Sequence, residues 1–418
     1  MLFLITALVL TPLTTFASNF KRKVAKIEVK GNKRTKTRFI MEELTFSPGD
    51  QISDEDIENS RQQLLNLELF SKIEFKETTT EIEGTISIKI ILKEKWSILP
   101  LPIISRTSDA DVRLGLRYED FNLGGRGHYL VVKVYNNWAN DLDDDLGGYY
   151  SATVETTNFL WHDLIFSPAF TKGKSLEEKY SEGDLISTYQ DTQESYSIKL
   201  GKEFDDLAFG IDYTSRRNDY TYLSGLTQPL FDIVVKSFGF FSTYSKVNNL
   251  GSYTYEGYEF SFYTSVYNKI LGSDVNAVSY NAVFSQFIPL DDRKNFAYRL
   301  EGTLVTGEKV EDVLTSVGGS TSLRGYESGE FEGDRMLRFN TEYRVPLTDN
   351  YWGGVAFIDA GNAWQEGSSM NVGDLNWGVG FGLRLFIKEL VQGIGRADFA
   401  YNVSQKSYKS YFGVRHTF

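Results

Sequence analysis

Three side chains carry the chemistry that types and spacing allow here: Arg324, Glu342 and Asp359. Arg324 sits in a glycine-framed segment, Gly318-Gly319-Ser320-Thr321-Ser322-Leu323-Arg324-Gly325-Tyr326. The two carboxylates lie in the alternating segments that follow it. A guanidinium confined beside a carboxylate makes a directional, bidentate pair, which is anchoring chemistry rather than catalysis. Catalytic groups are scarce. The 418 residues include no Cys and three His (His128, His162, His416), far apart in the chain. Disulfides, thiolate ligands and cysteine nucleophiles are excluded, and no metal or histidine-based site is expected. There is no GxSxG elbow and no phosphate-binding loop. Neither an enzyme nor a cofactor is expected. A formal net charge of −12 argues against nucleic acid as a partner.

The elements that must hold these groups are strands. Leu337, Phe339, Thr341, Tyr343 and Val345 oppose Arg338, Asn340, Glu342 and Arg344. Trp377, Val379, Phe381, Leu383 and Leu385 oppose Gly378, Gly380, Gly382 and Arg384. The same period of two recurs around Leu114, around Leu300 and in Phe399-Ala400-Tyr401. Segments of about ten alternating residues are what a lipid-facing barrel requires, and the 30 Phe, 25 Tyr and 36 Gly suit aromatic girdles and tight packing. A soluble sandwich also alternates, but aromatic enrichment and an exported start favour the membrane form. Every backbone group in lipid must be paired, so the sheet is expected to close. Residues 96–418 are assigned about 16 strands, with polar stretches such as Glu177 to Glu194 read as extracellular loops.

A barrel of that size has a wide lumen, and the loop 307–333 could fold back into it, bringing Arg324 to the inward carboxylates. Alternation puts Glu342 inward. Asp359 is inward only if Phe357 is too, in which case Phe357 packs on the loop. Glycines 378, 380 and 382 leave room beside it. Arg324 alone would read as a solvated loop residue; the carboxylate-bearing strands turn the reading to a lumen pair.

Residues 1–17, with the apolar run Leu2 to Leu10 and small residues at 15 and 17, read as a signal peptide. Residues 20–95 read as a small β-α-α-β-β domain with its own core, its second helix capped at Ser53-Asp54-Glu55-Asp56. The final segment alternates through Tyr411-Phe412-Gly413-Val414-Arg415-His416-Thr417-Phe418, which places Phe412, Val414, His416 and Phe418 on its lipid face.

Residues 20–95 resemble a POTRA (polypeptide-transport-associated) domain. The resemblance rests on the element order, Gly31-Asn32, the Pro48-Gly49-Asp50 turn and Leu69-Phe70-Ser71-Lys72-Ile73. Leu323-Arg324-Gly325-Tyr326 resembles the loop signature of the BamA/TamA superfamily of outer-membrane assembly and secretion proteins, which join POTRA domains to a bacterial-surface-antigen type barrel. Glu342-Tyr343-Arg344-Val345-Pro346-Leu347, Phe357-Ile358-Asp359-Ala360-Gly361-Asn362-Ala363-Trp364, Gly378 to Arg384 and Asn122-Leu123-Gly124-Gly125-Arg126-Gly127 match in order and spacing. Phe418, with Gly413 and His416, resembles the terminal assembly signal, His416 departing from the more usual aromatic or apolar residue. One POTRA domain makes this a short member.

The resemblance implies insertion of barrel proteins into the bacterial outer membrane, or secretion of a polypeptide through it. The front domain would stand in the periplasm and receive unfolded clients, and a weak seam between about Trp96–Ser105 and Tyr408–Phe418 would open sideways. The implied partners are outer-membrane lipids, unfolded outer-membrane or secreted polypeptides, and periplasmic proteins. An outer-membrane channel or scaffold without assembly activity is the alternative.

Overall fold

The computed structural model describes residues 21–418, apart from 107–111, 140–143, 157–162, 182–183, 227–229, 252, 292 and 349–350. The expected signal peptide lies outside the described residues. The front domain runs Arg22–Lys30 (β1), Thr37–Glu42 (α1), Gln51–Ile52 (β2), Asp54–Asn66 (α2), Phe70–Thr79 (β3) and Thr85–Glu94 (β4). Its sheet has the order β2-β1-β4-β3, with β1 and β4 parallel. The short β2 adds one element to the expected series. Alternation in β4 sends Ile86, Ile88 and Ile90 into the core. Helix α2 starts where expected. The Ser53 hydroxyl accepts from the Asp56 amide, and the Asp56 carboxylate accepts from the Ser53 amide at 2.7 Å, so two orphan donors of the first turn are satisfied reciprocally.

The barrel strands are Ile98–Arg106 (β5), Val112–Leu123 (β6), His128–Ala139 (β7), Asp144–Glu155 (β8), Leu164–Ser181 (β9), Asp184–Phe204 (β10), Leu207–Gly225 (β11), Ile233–Leu250 (β12), Tyr253–Tyr267 (β13), Ala277–Asp291 (β14) and Lys294–Gly307 (β15). After a loop holding the small hairpin Thr315–Val317 (β16) and Phe331–Gly333 (β17), the wall resumes with Arg335–Pro346 (β18), Trp352–Trp364 (β19), Asn376–Phe386 (β20), Ile394–Asn402 (β21) and Ser407–Val414 (β22). Omitting the hairpin, these form one 16-stranded sheet in simple sequence order. The expected parities hold: Leu116, Ile211, Phe240, Tyr343 and Phe381 face outward, whereas Glu342, Asp359 and Asp398 are buried inside. A continuous outward apolar face of this kind is what lipid covers.

The segment 177–194, expected as loop, is instead the paired hairpin β9–β10, with Glu177 opposite Tyr189. At 21 residues β10 far exceeds the ~9–11 that cross a bilayer. Beyond the lipid both faces of a strand can be polar, so this part carries no apolar alternation to read.

Three further expectations are corrected. Among the described residues no ladder joins β5 to β22. The two ends of the sheet meet through other contacts. Trp96 bridges to the turn after β20, donating to the Glu389 carbonyl at 2.6 Å and accepting from the Val391 amide at 3.0 Å. Arg415 reaches Glu119 on β6 at 2.8 Å. Second, the last strand does not run to Phe418. It stops at Val414, Arg415 adopts a left-handed conformation (φ 69°), and residues 416–418 turn into the lumen. His416 and Phe418 therefore do not face lipid. Third, the front domain shares its core with the barrel: Phe39, Phe70 and Ile73 belong to one cluster with Leu99, Phe121 and Val391. At this junction Lys36 donates to the Gly125 carbonyl at 2.8 Å, Asn122 donates to the Thr35 hydroxyl at 2.9 Å, and Arg34 pairs with Asp120. A Cβ on Gly125 would lie 2.4 Å from the Arg34 carbonyl oxygen, so this turn requires glycine for the close approach as well as for its positive φ. Helix α2 also docks, Asn66 accepting from the Asn249 amide at 3.0 Å near the end of β12.

Candidate functional site: an arginine–carboxylate network in the lumen

The loop between β15 and β18 enters the lumen and is pinned at Leu323-Arg324-Gly325-Tyr326. Leu323 and Tyr326 are buried with Val317 and Met336, so an apolar pair flanks the charged residue. Arg324 is fully buried. Its Nε donates to Asp359 Oδ2 at 2.7 Å and its Nη2 to Oδ1 at 2.9 Å, the fork-on-fork geometry of a bidentate pair. Its Nη1 donates to Glu342 Oε1 at 2.9 Å and to the Thr417 hydroxyl at 3.1 Å. The guanidinium lies 3.5 Å above the centre of the Phe357 ring, a cation–π contact strengthened by desolvation. Phe357 and Asp359 are thus both inward, as their shared parity requires.

Backbone contacts complete the anchor. The Gly325 amide donates to the Tyr411 hydroxyl at 2.9 Å, and that hydroxyl donates to the Tyr326 carbonyl at 3.0 Å. Tyr326 in turn donates to the Trp377 carbonyl at 3.2 Å. The glycines of β20 make the space. A Cβ at 378 would sit 1.9 Å from the Arg324 carbonyl oxygen, and one at 380 would sit 2.5 Å from the Phe357 ring.

Several members were not singled out from the sequence. Arg344 Nε donates to Glu342 Oε2 at 2.8 Å, and Arg384 Nη1 donates to Asp398 Oδ1 at 2.5 Å. Arg396 donates to the Thr417 hydroxyl at 2.9 Å, and Arg344 to the Phe418 carbonyl at 2.7 Å. The signal for Arg344, Arg384 and Asp398 was present, because each shares the inward parity of its strand. Thr417 had none, since its place depends on the inward turn at Arg415. His416 is buried with its Nδ1 3.5 Å from Glu342 Oε2. Gly413, on β22, takes no part in this network; it lies beside Arg396, whose side chain a Cβ there would meet at 3.5 Å. The whole is a buried, multiply anchored latch that ties the loop to five wall strands, β18 to β22, and to the chain's last residues.

Residues 122–418 match the model of the Omp85 superfamily domain, and residues 22–95 match that of the surface antigen variable number repeat, a POTRA unit. A search of curated proteins finds no match. Among solved structures the chain is similar to CdiB from Escherichia coli, with 14% identity and a TM-score of 0.62, covering 95% of this chain and 75% of that one. It is also similar to BamA from Haemophilus ducreyi lacking POTRA domains 1–3, with 15% identity and a TM-score of 0.52, covering 94% and 83%. At these identities the likeness is one of fold. The family match covers most of the chain, and with the inward Arg324 loop it leads to one assignment: this protein, an outer-membrane β-barrel carrying a POTRA domain, belongs to the Omp85 superfamily.

Proposed function

We propose that this protein inserts or translocates polypeptides at the bacterial outer membrane, with the front domain in the periplasm receiving clients and the β5–β22 seam engaging them. The observation that carries this reading is the seam itself. Outward apolar residues elsewhere in the wall, such as Leu300 and Leu383, are about two-fifths exposed, whereas Tyr408 and Phe412 on β22 reach 82% and 77% and Ile104 on β5 reaches 76%. Unladdered edge strands offer backbone donors and acceptors that an incoming strand can take up. Strand β3, the outer strand of the front sheet, offers a second such edge. In this reading Gly413, His416 and Phe418 mark the end that sets the seam, and the latched loop braces the wall beside it while the seam opens.

Site-specific photocrosslinkers at Phe412 on β22 and at Lys76 on β3 test this in intact cells. Both positions should capture unfolded outer-membrane or secreted polypeptides during their synthesis. Capture of lipid alone at Phe412 and nothing at Lys76, together with a steady single-channel conductance in planar bilayers, would favour a channel without assembly activity.

A further inference from the structure

The loop 307–333 has a second anchor, at the outer mouth of the lumen and apart from Arg324. Val310 and Val313 pack into an apolar cluster with Val235, Ala277 and Val305 of the wall. The 3₁₀ turn Glu311–Val313 is also held by ionic contacts. Arg216 on β11 pairs with the Asp312 carboxylate at 3.2 Å, and the Tyr220 hydroxyl donates to Asp312 Oδ2 at 3.3 Å. Lys179 on β9 pairs with Glu332 at 3.1 Å, with Glu177 at 3.4 Å and with Glu311. Asp191 on β10 stands among them. Its Oδ2 accepts from Asn218 Nδ2 at 3.1 Å, while its Oδ1 and the Asn218 Oδ1 have no donor among the described residues. Both side chains are more than nine-tenths buried. Glu177, Asp191 and Tyr220 each lie thirteen residues from the periplasmic end of their strand, at Leu164, Phe204 and Leu207. The cluster therefore stands above the ~9–11 residues that cross lipid.

Charge in this cluster does not balance. Among the described residues Glu177, Asp191, Glu311, Asp312 and Glu332 supply five carboxylates, against two cations, Lys179 and Arg216. Asp219 on β11, paired with Arg217 at 2.9 Å, adds negative charge from the adjoining position, and Tyr189 shares the inward face of β10. A buried carboxylate beside a buried amide oxygen sets acceptor against acceptor, and an acceptor left without a donor is costly. A proton on Asp191 turns one of these acceptors into a donor and removes one negative charge from beside Asp312. We propose that the outer end of the loop is a proton-operated clasp, closed on β9–β11 while Asp191 is neutral and lifting away when Asp191 ionises. Burial, with the charges of Glu177 and Asp312, pushes the Asp191 carboxyl up to about 7 against the opposing pull of Arg216. Burial raises Asp312 as well, again against Arg216. Once the loop lifts, Asp191 meets water and returns toward the ordinary aspartate range. The closed value is the higher one, so closure is strongest below the open value, weakens as pH rises to about 7 and changes no further above it. The Arg324 latch holds the loop at a separate point. The clasp is therefore independent of the polypeptide-handling reading, and it regulates the outer mouth alone.

The test uses the full chain in neutral maltoside micelles with EDTA. The chain has no cysteine, so Val313→Cys, buried while the clasp is closed, reports opening through its rate of reaction with a methanethiosulfonate reagent. Ile270→Cys, at an exposed position, corrects at each pH for ionisation of the thiol. The corrected rate at 313 should rise by roughly tenfold or more between pH 5 and pH 8 and level off above about 7. Asp191→Asn, a neutral stand-in for the protonated acid, should keep the rate low throughout. Glu177→Gln, which removes a neighbouring negative charge, should bring the plateau to lower pH. The compact-to-extended gel shift verifies that each variant forms its barrel. A corrected rate independent of pH, a rise that survives Asp191→Asn, or a plateau unmoved by Glu177→Gln would overturn the proposal. A rate that stays high at pH 5 and falls only when millimolar calcium replaces EDTA would also overturn it, and would make the cluster a divalent-cation site.

Discussion

Replacing Arg324 by Ala removes four side-chain hydrogen bonds and the ring contact with Phe357. Breaking a buried ion pair by deleting one partner costs about 3–5 kcal/mol when the remaining charge stays dry. The cost to the barrel depends on what is left. Among the described residues of the network four arginines (Arg324, Arg344, Arg384, Arg396) face three carboxylates (Glu342, Asp359, Asp398). Arg324→Ala leaves three against three, whereas Glu342→Ala leaves four against two and deprives Arg344 of its carboxylate. The two variants should therefore separate by readout. Arg324→Ala should release the loop, measured as proteinase K cleavage within residues 307–333, and lower the temperature of the compact-to-extended gel shift modestly. Glu342→Ala should lower that temperature further and release the loop less, because Asp359 still holds Arg324 in a fork. The Arg324→Ala/Asp359→Ala double variant should be less than additive in loop release by roughly 0.5–3 kcal/mol, the usual size for residues in one network. Strict additivity, or a Glu342→Ala barrel that melts above Arg324→Ala, would refute this account of the network.

Gly378→Ala should mimic Arg324→Ala in loop cleavage, because its methyl meets the Arg324 carbonyl oxygen, whereas Gly302→Ala, with its nearest neighbour at 3.8 Å, should not. Deleting residues 20–95 should lower the thermal stability of the barrel rather than leave it unchanged, since Leu99, Phe121 and Val391 lose their cover at about 1.5–3 kcal/mol for each large side chain; an unaltered melting temperature would show the shared core to be dispensable. At the junction, burial pushes the Glu94 carboxyl up, but hydrogen bonds from Thr35 and from the Arg34 amide outweigh it and hold the group below the usual carboxylate range. With a depressed folded value, its contribution is complete above about 4.5 and lost as pH falls through that lower folded value; melting of Glu94→Gln measured against pH should lack this step.

The parts legible in the sequence are those that lipid imposes at every position. An outward residue in the wall must be apolar whatever its neighbours are, so period-two alternation exposed the strands and, with them, the inward parity of Glu342, Phe357 and Asp359. Where that rule lapses, the reading lapsed too. The β9–β10 hairpin rises past the bilayer, so Glu177 and Glu194 carry no facing signal even though both stand in ladders, Glu177 opposite Tyr189 and Glu194 between Lys172 and Arg217. The Gly124-Gly125 turn was visible as a turn, but its approach to Arg34 was not, because a glycine needed for a neighbour's backbone looks the same as one needed for its own.

The tail shows the same limit from the other side. Extending the alternation of β22 put His416 and Phe418 in lipid, and nothing local contradicts that extension. What overrides it is distant. The Arg324 network holds four guanidinium groups against three carboxylates, and Thr417 offers a hydroxyl to both Arg324 and Arg396 while the Phe418 carbonyl accepts from Arg344. A single left-handed residue, Arg415, is enough to redirect the chain, at a cost of order 1–3 kcal/mol. Arg415 offsets that cost where it stands, by pairing with Glu119 and lying over the Phe121 and Tyr129 rings across the seam. The residue that ends the last strand thus also ties it to the beginning of the barrel, and the stretch left without a ladder is bounded by a contact that one substitution, Glu119→Gln, would weaken.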